Sequence, residues 1–187
     1  MSPVEIRYAI RSCSLGRLLV AATARGVCNV RFGEEDPGLE KGLAEEFPFA
    51  VLAPGDARVE GWCAELVRYV NGGVPELRVP FDVRASRFQR RVWDALRRIP
   101  RGATRSYSEL ALSLGMPGGA RAVARACATN PVAVVVPCHR VVAKDGGLGG
   151  YRWGIARKRA LLETEGAGML GVETRHGGQG ACATPRA

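Results

Sequence analysis

The stretch that most restricts this fold is Val132-Ala133-Val134-Val135-Val136-Pro137-Cys138-His139-Arg140-Val141-Val142, where an apolar, mostly β-branched run ends at a proline. A run of this kind reads as a strand buried in a core. Pro137 cannot continue a central ladder, so the strand is expected to stop there. Cys138 then stands at the lip of a core element, held rigidly yet within reach of a ligand. A cysteine in an apolar setting is most often core filler. A chemical role for this one has to be carried by its surroundings.

The chain of 187 residues is long enough for one large domain or two small ones. No apolar run reaches the length of a membrane span, and Arg7, Arg11 and Arg17 interrupt any signal-like segment, so no membrane partner is expected. None of the six cysteines forms a CxxC pair, which suits reduced thiols in a cytoplasm. His139 and His176 are the only histidines, so neither a zinc site nor another cofactor is expected. Charge is uneven. Residues 1–82 carry nine basic and twelve acidic side chains, net −3, whereas residues 83–187 carry eighteen and six, net +12. A basic second half points to a polyanion, with nucleic acid the foremost candidate.

In order along the chain, residues 6–10, 18–24 and 27–32 read as strands, with turns at Gly16-Arg17 and Arg25-Gly26. A polar loop at 34–38 precedes a short helix carrying Leu39 and Leu43. A second helix over 56–70 presents Val59, Trp62, Cys63, Leu66 and Tyr69 on one face and stops at Asn71-Gly72-Gly73. Residues 1–82 therefore read as a small α+β scaffold domain. A second domain, 83–170, opens with a helix over 88–99 capped by Ser86, its stripe formed by Phe88, Val92, Leu96 and Ile99. Ser106-Tyr107-Ser108-Glu109 is a capping box. The short helix it starts, the glycine-containing turn after Leu114 and a helix over 120–128 form a helix-turn-helix pattern. The second of these helices is built from alanine with Arg121 and Arg125, a composition suited to pressing close against an anionic groove. Residues 144–151 form a glycine-rich loop, and a last helix over 155–165 packs Leu161 and Leu162. Residues 171–187 lack periodicity and are expected to be a disordered tail.

These residues resemble the O6-alkylguanine-DNA alkyltransferases, the methylated-DNA–protein-cysteine S-methyltransferases. The match is carried by Asn130-Pro131, by Val136-Pro137-Cys138-His139-Arg140-Val141-Val142, by Ser106-Tyr107 and Arg121-Ala122-Val123, and by Gly150-Tyr151-Arg152-Trp153-Gly154 with Leu161-Leu162 and Glu165. It is dense over 83–167, looser over 6–82, and looks closest to the alkyltransferase half of the bacterial adaptive-response regulator. That regulator has a further Cys-rich zinc domain without counterpart in these residues, so its gene-regulatory role is not expected. The resemblance implies an α+β protein: a ribonuclease H-like scaffold followed by a mainly helical, winged-helix-like domain holding the active cysteine. It implies a monomer acting on double-stranded DNA that contains O6-alkylguanine, with O4-methylthymine a second candidate lesion.

Carried over by position, Cys138 accepts the alkyl group and His139 is its base through a water. Glu165 orients the imidazole, Asn130 braces the turn and Tyr107 assists at the base's N3. Arg121 fills the space left by a flipped nucleotide, Ser108, Ala122 and Arg125 meet DNA, and Val141, Gly149, Tyr151 and Arg152 line the base pocket. The chemistry suits these groups. A free thiol with pKa ~8.5 is only a few per cent thiolate at neutral pH and needs a base. A thioether product has no good leaving group, so transfer is expected once per molecule. Two rivals stand beside this reading. A papain-like Cys-His hydrolase needs a histidine opposite the thiol, and only the adjacent His139 is available. A DNA-binding protein without catalysis, such as a lesion sensor or helix-turn-helix regulator, would not need Cys138.

Overall fold

The computed structural model describes residues 3–167. The expected tail, with His176 and Cys182, lies outside them. Three strands, β1 (Glu5–Cys13), β2 (Gly16–Thr23) and β3 (Gly26–Gly33), form an antiparallel meander. β4 (Val51–Pro54), which the sequence pattern did not reveal, adds in parallel to β1 and completes the order β3-β2-β1-β4. The hairpin loops are Ser14-Leu15 and Ala24-Arg25, so Gly16 pairs as the first residue of β2 instead of forming the turn expected at Gly16-Arg17. It has φ +104°, and a Cβ there would lie 2.8 Å from Gly33 O.

The helix α1 (Asp36–Glu46) begins earlier than the polar loop suggested, because Pro37 fits a first helical turn. It packs Leu39 and Leu43 on Ile6, Leu19, Ala21 and Cys28. On the other face α2 (Ala57–Val70), capped by Asp56, buries Val59, Cys63, Leu66 and Tyr69. Alternation along β2 explains the arrangement: Leu18, Val20 and Ala22 face α2's side, Leu19 and Ala21 face α1. Covered on both faces, β2 reads as a continuous apolar run.

The same cluster continues into the second half through Val92, Trp93, Leu96, Val123, Val132 and Leu161. α3 (Arg87–Arg97) has a complete Ser86–Gln89 capping box. Its buried positions are Val92, Trp93, Ala95 and Leu96, with Phe88 packed at the margin. α4 (Tyr107–Ser113) and α5 (Ala120–Ala128) form the expected helix pair, and α6 (Ile155–Thr164) closes the core. Trp93 Nε1 donates to Ala126 O at 2.9 Å and ties α3 to α5. Two short strands, β5 (Arg105–Ser106) and β6 (Val141–Val142), pair in parallel.

The apolar run 132–136 is buried as expected but is not a regular strand. Val132 bridges Val30 of β3, Ala133 bridges Val136, and between them the chain reverses with Val134 at φ +70°. A β-branched residue rarely adopts this conformation. Local polar ties, described next, are what impose it.

Candidate active site

Asn130 holds the reversal from within. Its fully buried side chain donates from Nδ2 to Val136 O at 2.8 Å and to Cys138 Sγ at 3.3 Å, and its Oδ1 accepts from Val132 N at 3.0 Å. Cys138–Arg140 then forms one 3-10 turn, in which Arg140 N donates to Pro137 O at 3.0 Å. Neighbouring side chains on an extended strand would diverge. The tight turn instead buries thiol, imidazole and guanidinium together.

Glu165, at the C-cap of α6, receives that group. Its Oε1 lies 3.0 Å from His139 Nε2 and accepts from Arg140 Nη2 at 2.8 Å, while Oε2 accepts from Arg140 Nε at 2.8 Å. Arg140 Nη1 donates to Ile99 O at 2.5 Å. A third partner of Glu165 comes from the first half of the chain. The Tyr69 hydroxyl on α2 donates to Glu165 Oε1 at 2.7 Å and accepts from Arg140 Nη2 at 2.7 Å. An ionised carboxylate can only accept, so His139 Nε2 carries the imidazole proton and Nδ1 is bare. Nδ1 is buried and has no hydrogen-bond partner among the described residues.

Electrostatics assign protonation states. Burial pushes the Cys138 thiol up, only partly offset by the Asn130 hydrogen bond and the Lys158 charge, so the sulfur rests as a thiol. Burial pushes the His139 imidazole down against the pull of Glu165, keeping it neutral at neutral pH. Burial alone would raise Glu165, but hydrogen bonds from His139 and Arg140 outweigh it and hold the carboxyl well below the usual range. A neutral imidazole with a bare nitrogen, adjacent in the chain to a protonated thiol, has the chemistry for general-base activation of a nucleophile.

Tyr107 reaches this site through the small sheet. The capping box holds Ser106 N to Glu109 Oε2 at 2.6 Å and Glu109 N to Ser106 Oγ at 3.1 Å. The register Ser106↔Val142 sets the first residue of α4 beside the chain that leaves Cys138. Burial, then the nearby Cys127 and Cys138, push the Tyr107 phenol up to about 12, so it stays protonated. Gly149 crosses its ring at φ +64°, where a Cβ would lie 3.2 Å from Tyr107 Cε2. The buried Lys158 ammonium, lowered by burial to about 8, donates to Val141 O at 2.6 Å, to Leu148 O and to Gly150 O at 3.3 Å, anchoring that loop.

Val141 is buried, and Tyr151 stands edge-on to Trp153 at 5.1 Å with its buried hydroxyl unpartnered among the described residues. Arg152 is turned toward the first half, donating to Glu46 Oε2 at 3.1 Å and Asn130 O at 3.3 Å. Ser108 sits half-buried on α4, while Arg121 and Arg125 are exposed one turn apart on α5, with Ala122 partly exposed between them. Tyr69, Arg140 and Lys158 were missed as members of the site. Arg140 adjoins the Cys-His pair and could have been suspected. Tyr69 reads as core on an apolar helix face, and Lys158 reads as part of a solvated Arg-Lys-Arg run. Among the described residues no group of three or more His, Cys, Asp or Glu is arranged to hold a metal, and no helix is long and apolar enough to cross a membrane.

Residues 87–167 match the family model described as the DNA-binding domain of 6-O-methylguanine DNA methyltransferase. The bifunctional transcriptional activator/DNA repair enzyme Ada of Escherichia coli is 46% identical over 162 residues, which cover 87% of this chain but only 46% of Ada. The inducible methylated-DNA–protein-cysteine methyltransferase of Bacillus subtilis is 35% identical over 160 residues, covering 84% of this chain and 88% of the relative. The crystal structure of the Mycobacterium tuberculosis O6-methylguanine methyltransferase superposes with TM-score 0.71 at 38% identity, covering 90% of this chain and 96% of the other. A structure of the same organism's OGT in complex with DNA gives TM-score 0.71 at 40% identity, covering 87% and 93%.

Proposed function

Because the chain belongs to the methylated-DNA–protein-cysteine methyltransferase family, we propose that it repairs duplex DNA by moving the alkyl group of O6-alkylguanine onto Cys138, once per molecule. The observation that carries this reading is the buried Glu165–His139 pair beside the Cys138 turn, with the unprotonated His139 Nδ1 left free to take a proton.

The O6 atom lies within the base stack, so the nucleotide must leave the helix at a cost of a few kcal/mol. The exposed Arg121 and Arg125 on an alanine-lined helix suit a minor-groove approach, with Arg121 as the wedge. Contacts from arginine to phosphate are sequence-blind and salt-dependent, as a lesion search requires. With the base inserted, His139 Nδ1 removes the Cys138 proton through a water. The thiolate then attacks the alkyl carbon. The S–C bond forms as the C–O6 bond breaks, and the electron pair passes to the guanine. The protonated Tyr107 phenol stabilises that developing anion at N3. Val141, Gly149, Tyr151 and Arg152 bound the base, and the product is S-alkylcysteine.

The test is intact-protein mass after incubation with excess duplex carrying one O6-methylguanine. A gain of one methyl, absent in Cys138→Ala, is the expected result. Binding without a mass change would move the protein to the class of lesion sensors, and sustained turnover with Cys138 unmodified would overturn single use. A duplex carrying O4-methylthymine, run in parallel, tests the second lesion.

A further inference from the structure

The first half of the chain could be a passive support for the second. Its α2 helix nevertheless sends one polar group into the relay. Tyr69 is 4% exposed, and its hydroxyl meets both members of the Arg140–Glu165 ion pair, at 2.7 Å each. A buried hydroxyl with both its donor and its acceptor capacity directed at one ion pair is placed by more than packing. Its ring is fixed independently, because the Arg101 guanidinium stacks over it at 4.9 Å. Arg101 in turn donates to Val74 O at 3.3 Å and Thr164 O at 2.9 Å, linking the end of α2 to the end of α6.

We propose that Tyr69 is a positioning residue for alkyl transfer, its hydroxyl setting the orientation and basicity of the Glu165 carboxylate that in turn holds His139. The proposal rests on the functional reading above and assigns the first half of the chain a part in the reaction. Oε1 is shared by Tyr69, Arg140 and His139, so every donor to it weakens its hold on the others. Losing the phenol leaves Oε1 less neutralised and its pull on the His139 Nε2 proton stronger. Imidazolium is then favoured, and the neutral base is depleted on acidification. The charged groups facing His139 are Glu165 and Lys158 from α6 and Arg140 from its own turn, with Arg101 acting behind Tyr69. None of the three charged partners is removed by changing Tyr69.

The experiment compares the wild-type chain with Tyr69→Phe, which keeps the ring and the Arg101 stack. Titration of the His139 ring carbons by NMR, with His176→Gln to remove the other histidine signal, is expected to show the His139 pKa raised by roughly half a pH unit or more. Single-turnover methyl transfer should fall by up to about threefold at pH 6 and by less at pH 8, with affinity for undamaged duplex unchanged. Placing 3-fluorotyrosine at position 69, a stronger donor with the same shape, should move the His139 pKa in the opposite direction. Unchanged His139 titration in both variants would overturn the proposal, as would a loss of rate equal at every pH, which marks packing alone. If the wild-type chain transfers no methyl, the functional reading fails, yet the titrations still decide whether Tyr69 governs the Glu165–His139 pair.

Discussion

Asn130→Ala is the perturbation that most directly tests how the Cys138 turn is built. Asn130 is fully buried, and its loss removes three hydrogen bonds. Val136 O keeps Cys138 N as a donor at 2.8 Å, so its loss is partial. Val132 N has Asn130 Oδ1 as its partner and is left buried without one, at about 1–3 kcal/mol. With a smaller amount for the weakened carbonyl and the vacated volume, the expected destabilisation is about 3 kcal/mol. For a chain of this size that corresponds to a fall in Tm of roughly 6–12 °C. Chemistry should change in the same variant. Asn130 is a donor that lowers the thiol pKa, so its removal pushes Cys138 further up and slows its alkylation by a small electrophile at a given pH. Asn130→Asp separates geometry from volume: a carboxylate still accepts from Val132 N but cannot donate to Val136 O or to sulfur. Its negative charge should raise the thiol pKa beyond that of the alanine variant. Thermal unfolding and the pH profile of thiol alkylation are the assays. A Tm within about 2 °C of wild type, or coincident alkylation profiles for all three proteins, would refute the role given to Asn130.

Three further outcomes follow from the same geometry. Glu165 has a depressed carboxyl pKa, so its contribution to stability is complete above the unfolded value of about 4.3 and is lost as pH falls below it. Glu165→Gln leaves Arg140 buried without its counter-charge, which should cost about 3–5 kcal/mol at pH 7; denaturant titrations should also show a shallower acid-side slope than wild type. Gly149→Ala puts a Cβ 3.2 Å from the Tyr107 ring at a residue with φ +64°, and should slow methyl transfer while leaving binding to undamaged duplex intact, as read by single-turnover rates and DNA titration. Arg121→Ala should reduce repair of a lesion in duplex far more than in single strands, because only the duplex requires a wedge; equal losses on both substrates would remove that role.

The regular elements were legible because each obeys a local rule. Ser106 and Glu109 satisfy a capping box wherever they occur, and the apolar spacing of Val59, Cys63 and Leu66 marks one face of α2. β4 was hidden because its side chains are largely exposed at the sheet edge and give no alternation. The run 132–136 departs from a strand for a different reason. Its β-branched composition favours a strand, but Asn130 supplies partners for Val132 N and Val136 O, the groups a neighbouring strand would otherwise satisfy. Side-chain hydrogen bonds overrode propensity, and Val134 took a conformation its residue type disfavours.

The proposed nucleophile and base are legible in sequence for a reason that does not extend to the residues around them. Cys138 and His139 are adjacent, so sequence displays them as a pair. Neutralising their surroundings is a problem of three dimensions, and its solution draws on residues 69, 99, 130, 140 and 165. Glu165 remains ionised in that interior because His139 and Arg140, neighbours on one turn, both donate to it. One further donor comes from α2, in the first half of the chain. Tyr69 is such a donor: from sequence it counts as one more apolar position on α2, and only the fold reveals that its hydroxyl ends on Glu165.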